Sequence, residues 1–188
     1  MADKKSIPDK FTHAENLHLF IEEIMMVSGR KLNELSAVAV SRGPGSYTGL
    51  RIGVSAAKGF CYALEIPLIT VDTLLLIAKA AAEKYPDSYR DEKVIFLPMI
   101  DARRMEVYAA AYDKNLNCLK EAHPEIVDEN NFRKFLQQGK VIFCGNGAEK
   151  CKKNFAGNEN SVFAEALHPL ASNMGEFAHE KFLKKDFA

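Results

Sequence analysis

Hydrophobic and polar positions change period several times along the chain, and each change marks an element. In "FTHAENLHLFIEEIMMVSG" the residues Leu17, Phe20, Ile21 and Ile24 recur at helical spacing. Thr12 and Glu15 are spaced as a capping box ahead of them, and Gly29 is placed to stop the helix. The run "SAVAVS" that follows is short and apolar, and predicts a buried strand. A helix over 48–64, a strand "IPLITV" and a helix over 73–85 come next. From residue 93 the order changes: "KVIFLPMI", "MEVYAAAY" and "CLKEAHPEIV" predict three successive strands, with Asp113 to Asn117 as a hairpin turn. A helix over 129–138, the strand "KVIFC", a short helix over 147–154, a brief strand near "SVFA" and a closing helix over 170–185 complete the pattern.

Written as letters, residues 93–188 are βββαβαβα and residues 1–92 are αβαβα. Aligned at their ends, the halves match, except that the first lacks three opening strands. If the halves are true repeats, the first is short by on the order of 35 residues. The expectation is an α/β fold of two related halves, 1–92 and 93–188, with an exposed sheet edge in the first. The chain then reads as a shortened version of a longer design.

Composition narrows the class. With 188 residues, 47% of them hydrophobic and 27% charged, the chain can bury one large or two small cores. Lysines and arginines number 25, as do the acids, and this neutrality argues against tight nucleic-acid binding by the chain alone. The opening "MADKKSIPDK" is not a charged-then-apolar leader, and the run "TLLLIAKAAA" is too short to span a bilayer and is broken by Lys79. Cys61, Cys118, Cys144 and Cys151 have no paired-knuckle spacing and sit mostly among apolar residues. They read as reduced structural thiols, which fits the cytosol.

The stretch "SRGPGSYTGLRIGVSAAKGF" joins a strand to a helix through a glycine-rich turn, the shape of many phosphate loops. A Walker loop needs Gly-x-x-x-x-Gly-Lys-Ser/Thr, but here Gly43, Gly45 and Gly49 lead to Leu50 and Arg51. The dinucleotide fingerprint fails too, because the last spacing is one residue too long. Backbone amides at the helix start could still attract an anion. Alternatively, Gly49, Gly53, Ala56, Ala57 and Gly59 leave one side of the helix nearly bare, which suits close packing, internal or with a partner helix. Mid-helix glycine costs about 1 kcal/mol relative to alanine, so such packing would have to offset that loss. Ser46 lacks the second glycine of a nucleophile elbow, since Thr48 stands there, and reads better as a helix cap.

"GPGSYTGLRIGVSAAKG" closely resembles the signature of the TsaB (YeaZ) family, bacterial proteins that assist formation of threonylcarbamoyladenosine in tRNA. "THAENL", "DARRMEVYAAAY", "GNGA" and "HPLASNMGEFA" resemble further family pieces in the right order, so the resemblance covers almost the whole chain. It implies an actin-like ATPase (ASKHA) superfamily fold, a duplicated βββαβαβα, with the first three strands missing in this chain. The family's usual opening strand, Ile-x-Ala-Ile-Asp-Thr-Ser-like, has no counterpart here, and "KKDFA" stands where members commonly end in Pro-x-Tyr-Leu.

The resemblance implies a non-catalytic, cytoplasmic scaffold, with no cofactor and no direct tRNA binding of its own. Its partners would be a TsaD-type enzyme, bound as a heterodimer, and a TsaE-type ATPase, with a homodimer forming when the chain is alone. The implied interface is a helix bundle built from Leu17, Phe20, Ile21 and Ile24 on one helix and Tyr47, Gly49, Ile52, Gly53 and Ala56 on the other.

Two enzymatic alternatives stand beside it, a metal-dependent glycoprotease and an actin-like-fold phosphotransferase. Where the resembling TsaD enzyme carries two metal-binding histidines four residues apart, this chain has Thr73 and Ile77 in "TVDTLLLIA". Isoleucine cannot ligate a metal, and His13 and His18 point about 140° apart on a helix. His123 and His168 each precede proline, and His179 stands alone on the last helix. Asp101, Arg103, Arg104 and Glu106 form the densest charged cluster at a strand boundary, either an ion-paired rim or a contact with a ligand or partner.

Overall fold

The computed structural model describes residues 13–85, 93–164 and 167–188, in two compact units, Met1–Val71 with Met174–Ala188 and Asp72–Asn173. Thr12 of the predicted capping box lies outside the described residues, as does the side chain of Glu15. These packing units do not coincide with the halves 1–92 and 93–188 expected from the order of elements in the sequence. The helix closing the first half belongs to the second unit, and the helix closing the second half belongs to the first.

The first unit contains α1 (His13–Ser28), a 3₁₀ turn at Leu32–Glu34, β1 (Val38–Ser41), α2 (Tyr47–Leu64) and β2 (Leu68–Val71). Gly29 ends α1 at φ 65°, as its position predicted. The two strands pair in parallel, Val38 opposite Leu68 through Ser41 opposite Val71. The terminal segment closes on β2, where the Ala188 amide donates to the Leu68 carbonyl at 2.9 Å. Burial here is shallow. Among the described residues, Ala57, Ile69, Val71 and Met174 are its buried apolar side chains, and β1 is half-buried along its whole length.

The second unit opens with α3 (Thr73–Lys84), followed by β3 (Val94–Asp101), β4 (Glu106–Asp113) and β5 (Cys118–Ile126). A single helical turn, α4 (Arg133–Leu136), precedes β6 (Lys140–Cys144). A 3₁₀ turn at Ala148–Cys151, the short α5 (Lys152–Phe155) and β7 (Ser161–Phe163) follow. The strands form one sheet in the order β5-β4-β3-β6-β7, antiparallel across the first three and parallel from β3 to β7. Both faces are covered, so β3 and β6 are buried almost throughout, as continuous apolar runs demand. Alternate residues serve opposite layers: Ile95, Leu97, Met99, Val141 and Phe143 meet Phe132, Phe135 and Phe155, while Phe96, Ile142 and Cys144 meet Leu74, Ile77 and Ala81 of α3. The fold is α/β, and the pair β1–β2 repeats the parallel pairing of β6–β7.

Three predicted helices are shorter than the periodicity suggested. Over 129–138 only Arg133–Leu136 is helical. The Asp128 carboxylate accepts from the Asn130 and Asn131 amides at 2.7 and 2.8 Å, and Phe132 sits at φ 65°, so local turns win over the helix. Over 147–154 the chain tightens to 3₁₀ before α5, because Gly147 packs onto the sheet, where a Cβ would lie 3.0 Å from Val107. The closing helix is preceded by a 3₁₀ turn at Ala171–Asn173 and becomes regular only as α6 (Gly175–Leu183).

Candidate functional site

The glycine-rich turn sets the direction of α2. The Arg42 amide donates to the Val71 carbonyl at 3.0 Å, which extends the strand pairing to the start of the turn. Gly43 is buried at φ 110°, and a Cβ there would meet Leu50 Cδ1 at 3.2 Å, so both backbone and space favour glycine. Ser46 then caps α2: its Oγ accepts from the Gly49 amide at 3.3 Å and its carbonyl from Leu50 at 2.8 Å.

The small residues of α2 do not share one task. A Cβ on Gly53 would meet Val40 of β1 at 3.8 Å, an ordinary contact, and Ala57 is buried. A Cβ on Gly49 would meet only the Ser46 side chain, at 3.6 Å, and one on Gly59 would meet nothing within 4 Å. Gly53 and Ala57 therefore set α2 onto its own unit, while Gly59 leaves open space on an exposed side.

Helices α1 and α2 meet through the His18 and Phe60 rings, whose centroids are 5.9 Å apart. Beside that contact lies an apolar groove of about 610 Å³, lined by Ile21, Met25, Leu32, Phe60 and Leu64 and edged by Glu22, Arg30 and Lys31. Near it α1 exposes Leu19 (59%), Met26 (76%) and Val27 (62%). On α2, Tyr47 (74%) and Tyr62 (90%) are exposed towards opposite ends. Arg51 stacks on Tyr47 at 5.3 Å and donates to its hydroxyl at 3.2 Å, which holds that ring in place. The result is a mixed aromatic, methionine and aliphatic surface with a charged edge, the composition common at protein interfaces.

Of the residues predicted for an interface, Leu17, Phe20, Ile21, Ile24, Gly49, Ile52, Gly53 and Ala56 are half-buried within the unit, and Tyr47 is exposed. Sequence reasoning passed over Leu19, Met26, Val27 and Tyr62. Their signal was present: "IMMV" continues the apolar character of α1 around the helix beyond one stripe, more than a helix packed on one side needs.

The charged cluster at the β3–β4 turn is partly ion-paired. Lys150 Nζ donates to Asp101 Oδ1 and to the Glu106 carbonyl, both at 2.9 Å. The Lys150 side chain and then the Arg103 amide hold the Asp101 carboxyl below the usual aspartate range. Among the described residues, no three His, Cys, Asp or Glu side chains gather as a metal site requires. Thr73 and Ile77 are buried in the packed face of α3. The four cysteines are free; burial pushes the Cys151 thiol up to about 12 and raises Cys144 as well. No helix among the described residues is long and apolar enough to cross a membrane.

Comparison with known proteins assigns these features to a family. A family model described as "TsaD: tRNA N6-adenosine threonylcarbamoyltransferase" matches residues 10–187. The tRNA threonylcarbamoyladenosine biosynthesis protein TsaB of Escherichia coli (strain K12) is 32% identical over 182 residues, 90% of this chain and 73% of that protein. The tRNA N6-adenosine threonylcarbamoyltransferase of Jannaschia sp. (strain CCS1) is 47% identical over 62 residues, 33% of this chain and 17% of that protein. Among solved structures, YeaZ from Pseudomonas aeruginosa superposes with a TM-score of 0.77 at 20% identity, covering 96% of this chain and 82% of that one, which speaks to the fold. The glycine-rich turn, the strand order and these matches agree, and the chain belongs to the TsaB (YeaZ) family, with the actin-like α/β fold.

Proposed function

We propose that the chain serves threonylcarbamoyladenosine modification of tRNA as a non-catalytic scaffold that binds a TsaD-type enzyme through α1 and α2. The observation that carries this reading is the surface those helices leave open: Leu19, Met26, Val27 and Tyr62 are exposed on the two helices that line an apolar groove, and Tyr47 is exposed at the opposite end of α2. Large apolar side chains grouped in this way mark an interaction site more often than a bare surface. The predicted Leu17, Phe20, Ile21 and Ile24 then support that surface from beneath, with Ile21 reaching the groove. Gly53 sets α2 against β1, Gly49 follows the Ser46 cap, Ile52 and Ala56 are half-buried on the same helix, and Gly59 leaves room for close approach.

In this reading the chain acts in the cytoplasm without a cofactor, and catalysis and tRNA contact belong to the enzyme. Docking stabilises the active arrangement of that enzyme, a TsaE-type ATPase joins the assembly, and the free surface pairs two copies when the enzyme is absent. Burial of Thr73 and Ile77 in the core weighs against the glycoprotease alternative, whose metal ligands would stand there.

Sedimentation velocity of the full chain, alone and mixed with the TsaD-type enzyme, tests the reading. The expected result is a self-dimer that gives way to a mixed complex, with Met26→Asp weakening both by about tenfold or more. A folded wild-type chain that ignores the enzyme would overturn it.

A further inference from the structure

From the turn between β3 and β4 we infer a second docking element: a pair of guanidinium groups set to grip paired carboxylates on a protein partner. The inference draws on the scaffold reading for its probes, but it stands on different residues in the second unit.

Arg103 and Arg104 occupy consecutive left-handed positions, φ 70° and 44°. Such positions favour glycine or asparagine, and two bulky side chains in succession are strained. The surrounding turn over-determines the conformation. The Ala102 amide donates to the Glu106 carbonyl at 3.1 Å, and the Glu106 amide donates back to the Arg103 carbonyl at 3.0 Å. Asp101 Oδ1 accepts from the Arg103 amide at 2.6 Å, and the Asp101 amide donates to Asn146 Oδ1 at 3.0 Å. Lys150 braces the base through Asp101 and the Glu106 carbonyl.

This bracing stops at the backbone. Neither arginine side chain has a hydrogen bond or ion pair among the described residues, and both residues are exposed. The Asp101 carboxylate at the base of the turn is already matched by Lys150, and Glu106 pairs with neither arginine. A strained turn that displays two unmatched guanidinium groups gains nothing for the fold that asparagine and glycine would not provide. Strain kept against local preference points to a contact made elsewhere.

The surroundings identify the occupant as protein. Met105 (49%), Tyr108 (39%) and Ile126 (64%) are exposed next to the pair, with Ile126 opposite Glu106 across β4 and β5. Arginine, methionine and tyrosine together are the composition of a protein interface, and guanidinium forks match carboxylates in two-point contacts. A nucleic-acid surface would call for a longer stripe of cations than two arginines on a chain of zero net charge.

The test replaces the pair with the residues the turn prefers, Arg103→Asn with Arg104→Gly, in the full chain. Affinities of wild type, this variant and Met26→Asp are measured for the purified TsaD-type enzyme and TsaE-type ATPase at low and high salt. Thermal melts and tRNA binding are recorded beside them. The expected result is a melting temperature equal to or above wild type. It comes with at least one protein bound about tenfold more weakly, and with a wild-type affinity for that protein that falls with salt. Equal affinities for both proteins overturn the inference, and if Met26→Asp still loses the enzyme, the scaffold reading survives that failure. A lower melting temperature would make the arginines structural, and a loss confined to tRNA would make the turn a nucleic-acid contact. If wild type binds neither protein, both readings fall.

Discussion

Residue by residue, the chain shows how one side chain can be decided by its neighbours. Asp101 is a strand-end aspartate that could have been a free surface charge. Lys150, brought close by the turn after β6, changes its titration instead. Because its folded pKa is depressed, the pairing stabilises above the unfolded value, about 3.9, and the benefit is lost as pH falls through the lower folded value. Lys150→Met should therefore lower stability at neutral pH by up to about 1 kcal/mol, since the carboxylate is partly exposed. The gap to wild type should narrow in urea titrations run below the ordinary aspartate range. A gap that stays constant with pH would assign Lys150's role to the Glu106 carbonyl alone.

For single elements, α2 is the informative case. Its sequence combines three glycines with alanines, and periodicity alone made them one bare stripe. The packing separates them: Gly53 faces Val40, Ala57 is interior, and Gly59 faces open space. Alanine at Gly59 meets no atom, so Gly59→Ala should stabilise the isolated chain by about 1 kcal/mol through helix propensity. Chemical denaturation of the two proteins measures this directly. If the partner helix approaches at Gly59, the same variant should weaken the complex with the enzyme while strengthening the chain. The short helices α4 and α5 teach the converse. Their apolar spacing is real, but Asp128, Phe132 and Gly147 impose turns that a helical-period reading does not register.

Across the whole molecule, the two units differ in how much they bury. Among the described residues, the second has a five-stranded sheet covered on both faces, whereas the first has two strands with β1 half-buried. Local opening free energy follows buried apolar contact. Native-state hydrogen exchange should accordingly show slower amides in β3, β4 and β6 than in β1 and β2. Binding of the enzyme should slow α1 and α2 before it slows the sheet of the second unit. Uniform protection would mean that the units open together, as one cooperative block.

Much of this architecture was legible in the chain itself. Apolar runs located β3 and β6, because a strand buried on both faces must be continuously apolar, and the Asp113-type hairpin turn located the largely polar, exposed β5. The glycine-rich signature identified the family and Ser46 as a cap, since a positive-φ turn into a capped helix tolerates few residue types. Tertiary structure alone decided which face of each helix stays open. Leu19 and Leu17 look alike in a sequence, and only the packing of α1 on α2 separates the exposed one from the half-buried one. It also decided that Arg103 and Arg104 occupy left-handed positions without side-chain partners among the described residues. That outcome depends on Asp101, Asn146 and Lys150, and the last two join the turn from more than 40 residues away in the chain.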